Sequence, residues 1–224
     1  MTFSIVARCS RTGQFGLAIS SSSPAVAARC AHARAGVGAV ASQNVTDPRL
    51  GPRALDLMAA GASGAEAAER IAAEADHAAY RQVLAIGAAG PAGVHSGPRA
   101  LGTWAEVTGP DCAAGGNLLA SSGVPAAMAA AFGAAEGALA DRLLAALRAG
   151  LAAGGEAGPV RSAGLLVVAA QPWPYIDLRC DWTEGCPVTA LEAAWAVYAP
   201  QAEAYVTRAL DPTAAPAYGV PGDP

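Results

Sequence analysis

The first chemistry the chain offers is a hydroxyl directly behind an initiator methionine. Met1 is followed by Thr2 in the run Thr2-Phe3-Ser4-Ile5-Val6-Ala7-Arg8. Methionine is usually trimmed when the next side chain is as small as threonine. Thr2 then carries an α-amino group and a β-hydroxyl on one residue. The ordinary pKa of that amine, about 7.7–8.0, lies near working pH, where a general base is most effective. A threonine activated by its own amine combines nucleophile and base. Many ordinary proteins also begin Met-Thr, so the dipeptide alone assigns nothing.

Other residues join Thr2 through the elements that must carry them. Phe3 to Cys9 alternates as a strand, Ser10-Arg11-Thr12-Gly13 turns, and Phe15, Leu17 and Ile19 mark a return strand, so the two form a hairpin. The end of a return strand lies beside the start of the first. That places Ser21 and Ser22 next to Thr2 as catalytic candidates, against the plainer reading of a polar strand end. Gly116 and Asn117 close a later strand. Glycine lets backbone N–H groups approach a ligand, and an asparagine amide adds a donor to an oxyanion. Gln43, Arg49, Arg81, Gln82 and His95 are candidates for orienting a small substrate. Either arginine would suit a carboxylate through paired hydrogen bonds. Each has a structural alternative; His95 on a strand is more often a satisfied structural histidine.

Composition excludes several classes. Of 224 residues, 53% are hydrophobic and 14% charged, which is ample for a core. Net charge is −4, and all 14 basic residues are arginine. They are scattered without interleaved aromatics, which disfavours nucleic acid. No lysine exists to act as base, Schiff-base former or charge partner of Thr2. No apolar run is long enough to span a bilayer, and no basic segment leads an apolar core, so a cytoplasmic location is expected. The five cysteines (Cys9, Cys30, Cys112, Cys180 and Cys186) and three histidines have no metal-site spacing. Buried free thiols, no metal and no cofactor are expected. Gly36-Val37-Gly38-Ala39-Val40-Ala41 resembles a dinucleotide fingerprint only superficially, because a polar loop rather than a helix follows it. Val37 to Gln43 reads as a strand.

The remaining pattern gives a helix from Pro52 to Gly61 and a second to Ala75, opened by the capping box Ser63-Gly64-Ala65-Glu66. Strands follow over Tyr80–Ala88, Gly93–Ser96, Ala100–Val107 and Cys112–Leu119. Helices over Pro125–Phe132 and Ala138–Ala152 come next. In the latter Leu139, Leu143, Leu147 and Leu151 recur every four residues along one face. Strands over Arg161–Ala170 and Tyr175–Asp181 precede a helix from Pro187 that Pro200 interrupts. Helices paired between groups of strands suit an α+β, four-layer αββα sandwich of two packed, mainly antiparallel sheets with helices outside. The fallback is one sheet with helices on one face. A single domain over residues 1–210 and a Pro-rich extended tail over 211–224 are expected. A homodimer is the default assembly for such a chain.

Several stretches together resemble a bacterial family catalogued as domain of unknown function 1028, which is placed among the N-terminal-nucleophile hydrolases. They are Thr2 to Arg8, Ala35 to Gln43, Gly51 to Leu57, Tyr80-Arg81-Gln82, His95-Ser96-Gly97, Gly116 to Leu119 with Met128, Arg161-Ser162-Ala163, and Ile176 to Arg179. The ending Tyr218 to Asp223 is similar to one subgroup. The resemblance covers nearly the whole chain and implies the αββα fold. It implies less about activity, since the family's substrate is not established. Proteasome-like relatives pair threonine with lysine and aspartate; this chain has no lysine, and serines stand where the hairpin would present an acid. The leading expectation is an amidohydrolase acting through Thr2 on a small-molecule amide. The alternative is a non-catalytic binding or scaffold protein on the same fold.

Overall fold

The computed structural model describes residues 1–220. Strands β1 (Thr2–Cys9) and β2 (Gln14–Ser21) form the expected hairpin, with Phe3 opposite Ser20 and Cys9 opposite Gln14. A short helix α1 (Val26–Cys30) and β3 (Ala31–Arg34) follow, then β4 (Gly38–Asn44). Helices α2 (Leu50–Ala59) and α3 (Gly64–Glu74) and a 3-10 turn (Ala78–Tyr80) lead to β5 (Arg81–Gly87) and β6 (Gly93–Ser96). Next are β7 (Ala105–Gly109), β8 (Cys112–Asn117), α4 (Val124–Ala134) and α5 (Leu139–Ala152). The chain continues through β9 (Ser162–Val168), β10 (Pro174–Cys180), α6 (Pro187–Tyr198), a 3-10 turn containing Pro200, and α7 (Ala202–Leu210).

The result is a mixed α+β fold with two antiparallel sheets. One has six strands in the order β10-β9-β2-β1-β8-β7; the other has four, β3-β4-β5-β6. Side chains alternate across each strand, and the alternation sorts the core. From β1, Phe3, Ile5 and Ala7 pack with Met128, Phe132, Leu139, Leu143 and Leu147 of α4 and α5. Val6, on the other face, joins Leu17, Ile19, Ala41, Leu84 and Ile86 between the two sheets. The four-stranded sheet turns Val40, Val83 and Ala85 toward Leu50, Leu55 and Ile71 of α2 and α3.

Several expectations shift. Val26–Cys30 and Ala31–Arg34 were not expected as helix and strand. The strand expected from Ala100 begins at Ala105, and residues 100–104 are irregular. Cys9, Cys30 and Cys112 are buried free thiols, but Cys180 is half-buried and Cys186 exposed. The described part of the expected tail folds back on α7. Arg208 donates to the Pro216 carbonyl at 2.9 Å, and its guanidinium lies 3.8 Å from the Tyr218 ring centroid. Residues 221–224 of that tail lie outside the described residues. Among the described residues no helix is long and apolar enough to cross a membrane.

The expected capping box is present: Ser63 Oγ accepts from Glu66 N at 3.2 Å, and Ser63 N donates to the Glu66 carboxylate at 2.7 Å. It directs α3 onto β5 and β6 so closely that a Cβ on Gly64 would lie 2.4 Å from the Ala85 carbonyl oxygen. Backbone cannot yield as a side-chain tip can. Urea unfolding of two variants should separate the effects. Ser63→Ala should cost about 1 kcal/mol, the usual worth of a cap. Gly64→Ala should cost more, toward the upper end of the ~1–3 kcal/mol of overpacking, even though alanine is the better helix former. A neutral or stabilising Gly64→Ala would refute the close approach.

Candidate active site

The space between the sheets changes character along its length. At one end inward positions are apolar; at the other they turn polar in one strand after another. Along β1 the order is Val6, Ser4, Thr2; along β2 Leu17, Ile19, Ser21; along β4 Ala39, Ala41, Gln43; along β5 Ile86, Leu84, Gln82. Thr2 is opposite Asn117, Ser21 opposite Ser162, and Gln82 opposite both Gln43 and Ser96. The polar rows of the two sheets face each other.

They are joined by buried amides. Ser4 Oγ donates to Gln43 Oε1 at 2.7 Å, and Gln43 Nε2 donates to Gln82 Oε1 at 2.7 Å. Gln82 Nε2 donates to Ser96 Oγ at 2.8 Å, and Asn117 Nδ2 donates to Gln82 Oε1 at 3.2 Å. The carbonyls of Gly115 and Gly116 accept from Gln43 Nε2 and Gln82 Nε2 at 3.3 and 3.2 Å. A carbonyl only accepts, so these two contacts set which end of each glutamine faces which neighbour. Asn117 is set in turn. Its amide nitrogen meets Gln82, and its Oδ1 is buried without a hydrogen-bond partner.

Thr2 is 6% exposed. Its Oγ1 donates to the Met1 carbonyl and lies 3.4 Å from Ser21 Oγ, which donates to the same carbonyl. Ser21 Oγ in turn accepts from Ser23 N at 3.0 Å. The Met1 carbonyl therefore engages the hydroxyls of both Thr2 and Ser21. Ser162 supports this edge, donating to the Ser23 carbonyl at 2.6 Å and accepting from Val26 N at 3.2 Å.

One acid stands here that sequence reasoning missed. Glu156 lies in the loop after α5, is 4% exposed, and accepts from Ser22 N at 3.0 and 3.1 Å through both carboxylate oxygens. Burial pushes its carboxyl up to about 7, partly opposed by Ser22 and by the positive α-amino group of the chain. Its neighbours Ala153, Gly154 and Gly155 read as a helix stop, and nothing local marks Glu156 as buried. Only long-range pairing with Ser22 and Leu119 brings it to this end of the sheets.

The structure brings Thr2, Ser21, Ser22, Asn117, Gln43 and Gln82 to this end. Gly116 is there for packing as much as for its backbone: a Cβ on it would lie 2.6 Å from Leu119 Cδ2 and 3.0 Å from the Thr2 carbonyl oxygen. The other expected binders are engaged elsewhere. Arg49 holds Asp47 at 2.7 Å, and that contact keeps the Asp47 carboxyl down at about 2. Arg81 donates to the Val45 carbonyl, and its Nε is buried without a hydrogen-bond partner. His95 Nε2 lies 2.9 Å from the Ala78 carbonyl oxygen. A groove of about 780 Å³ on the outer helices, lined by Leu144, Arg148 and Trp195 among others, contains none of the Thr2-site residues.

Comparison with known proteins agrees with the fold. A crystal structure of a Silicibacter pomeroyi protein assigned to DUF1028 superposes with a TM-score of 0.81 at 30% identity, covering 88% of each chain. No curated protein matches the chain. The model of a family of unknown function, DUF1028, matches residues 2–191. Thr2, Glu156 and the amide rows all fall within that span, and the chain belongs to the DUF1028 family.

Proposed function

We propose that this chain is an N-terminal-nucleophile hydrolase of αββα architecture, cleaving the C–N bond of a small non-peptide amide through Thr2 once Met1 is removed. The observation that carries the reading is the Met1 carbonyl. It accepts from both Thr2 Oγ1 and Ser21 Oγ inside a polar, otherwise closed end of the sandwich. Removing Met1 takes that acceptor away, frees two hydroxyls and creates an amine on the residue that carries one of them.

The chemistry then balances on Thr2 alone. Its amine takes the Oγ1 proton as Oγ1 bonds to the substrate carbonyl carbon. The C–N bond breaks, and the resulting ammonium returns its proton to the departing nitrogen. Water, activated by the same amine, attacks the ester, releasing the acid and restoring the hydroxyl. Charge develops on the carbonyl oxygen in both steps. Ser21 Oγ–H and the second N–H of Asn117 are the donors at hand to meet it. The arginines expected to bind a carboxylate are engaged elsewhere, which favours an uncharged amide.

A binding or scaffold role is favoured by one specific observation: with Met1 in place Thr2 is nearly closed off. The N-terminus therefore decides between the readings. Intact mass before and after a β-lactone should show loss of Met1 and one adduct, absent in Thr2→Ala and kept in Thr2→Ser. Thr2→Ala should fold normally, losing roughly 1 kcal/mol with one hydroxyl. An adduct undiminished in Thr2→Ala would overturn the assignment.

Blocking the amine gives a separate check. A Gly-Ser extension ahead of Thr2 keeps the hydroxyl and removes the base. The acylation rate should fall by about 10²–10⁴, the usual contribution of a positioned base. An unchanged rate would exclude the α-amine as that base.

A further inference from the structure

Glu156 is short of donors. An ionised carboxylate accepts about four hydrogen bonds, yet both oxygens of this buried group share the single N–H of Ser22. Among the described residues it forms no ion pair with arginine or histidine. A buried charge in that position is costly unless a cation meets it.

Its place in the sheet says where the cation comes from. β1 lies between β2 and β8. On the β2 side Glu156 binds Ser22, the residue after Ser21. On the β8 side its backbone bridges Leu119, two residues after Asn117, with Ala157 N donating to the Leu118 carbonyl at 2.9 Å and Ala120 N to the Gly155 carbonyl at 3.1 Å. Thr2 lies between Ser21 and Asn117. The loop thus closes the end of β1 from both flanking strands. Two residues on, a Cβ on Gly158 would lie 3.7 Å from Met1 Cε. The groups acting on the carboxylate are the Ser22 N–H, just past β2, and, just ahead of β1, the α-amino group of Met1, whose charge reaches it.

We infer that Glu156 is the acidic partner of the Thr2 α-ammonium, a positioning residue that anchors the amine exposed when Met1 leaves. This rests on the reading of Thr2 as a processed N-terminus. Removal of Met1 delivers three N–H donors at the end of β1, beside a carboxylate that has one. With one N–H held by Glu156, rotation about the N–Cα bond is fixed. The amine then waits in one orientation beside its own hydroxyl. The carboxylate supplies, from the loop after α5, the acidic partner that the serines of the hairpin do not.

The absence of lysine also makes the test clean, because the α-amine is the one primary amine in the chain. The full chain is produced starting at Thr2 by site-specific cleavage of a fused leader, so neither cellular trimming nor catalysis enters. It is labelled with trace acetic anhydride across pH, and esters are stripped with hydroxylamine. Trypsin then releases the peptide Thr2–Arg8 for mass spectrometry, with the free synthetic peptide labelled in the same tube as reference. The amine of the folded chain should titrate above that of the free peptide. In Glu156→Gln, which keeps an acceptor for Ser22 N–H, the midpoint should fall by about one unit, a tenfold change in the proton equilibrium. Glu156→Asp should restore part of it. A folded-chain midpoint at or below that of the peptide overturns the inference whether or not the variants fold; equal midpoints in wild type and a folded Glu156→Gln overturn it too. β-Lactone acylation of the same samples is read separately: a Glu156-dependent midpoint with no Thr2 adduct keeps the ion pair and removes the hydrolase.

Discussion

Gln82 bonds to both sheets at once. It takes N–H donors from Gln43 beside it and from Asn117 across the gap, and gives its own to Ser96 and to the Gly116 carbonyl. Each such bond contributes a net ~0.5–1.5 kcal/mol, while a buried group left without its partner costs about 1–3 kcal/mol. The asymmetry matters more than the sum. Losing Gln82 would deprive Asn117 Nδ2, Gln43 Nε2 and Ser96 Oγ of a buried partner together. The network is therefore held as a unit, and it sets the spacing of the sheets at the polar end. Thr2 inherits its position from this. Its strand neighbour Asn117 is held by Gln82, and Ser4, two residues along β1, is held by Gln43.

The same bonds explain why the facing rows of the two sheets are polar without being charged. Two facing sheets usually fill their gap with aliphatic side chains, as Val6, Leu17, Ile19, Leu84 and Ile86 do here. Amides and hydroxyls can replace them only where their bonds close on one another. Among the described residues at this end the acceptors left short are Asn117 Oδ1, which has no partner, and the Glu156 carboxylate, which has the one N–H of Ser22. Both belong to segments at the end of β1. A fold that satisfies every other amide of this network and leaves its shortfall there is arranged around what the end of that strand carries.

The strands that bear the site were legible because their periodicity is local. Phe3, Ile5 and Ala7 alternate with Ser4 and Val6, a turn follows, and the hairpin sets Ser21 beside Thr2 by length alone. Leu139, Leu143 and Leu147 announced the face of α5 in the same way. Val26–Cys30 was not legible, because five residues are too few for a helical period to repeat. Ala31-His32-Ala33-Arg34 has only two small apolar residues to alternate. Arg49 and Arg81 drew attention by charge, but charge says nothing about partners, and Asp47 and the Val45 carbonyl engage them. Glu156 is the opposite case. It stands among small residues, Gly154, Gly155, Ala157 and Gly158, and its burial follows wholly from long-range pairing with Leu119 and Ser22.

Met1 is the remaining element in the balance, and it opposes the rest. Its carbonyl satisfies the Thr2 and Ser21 hydroxyls, so hydroxyl donors are in surplus only when it is absent. Its own residue places the amine one position too far along the strand to share a carbon with the hydroxyl. With Met1 present, the hydroxyls are satisfied and the carboxylate is short. On the proposed reading, removal of Met1 turns the hydroxyls toward whatever enters and leaves an amine on the residue that the flanking strands hold. The end that carries Met1 is thus the resting arrangement of the hydrogen bonds, and in the proposed trimmed form base, nucleophile and anchoring acid would meet at Thr2.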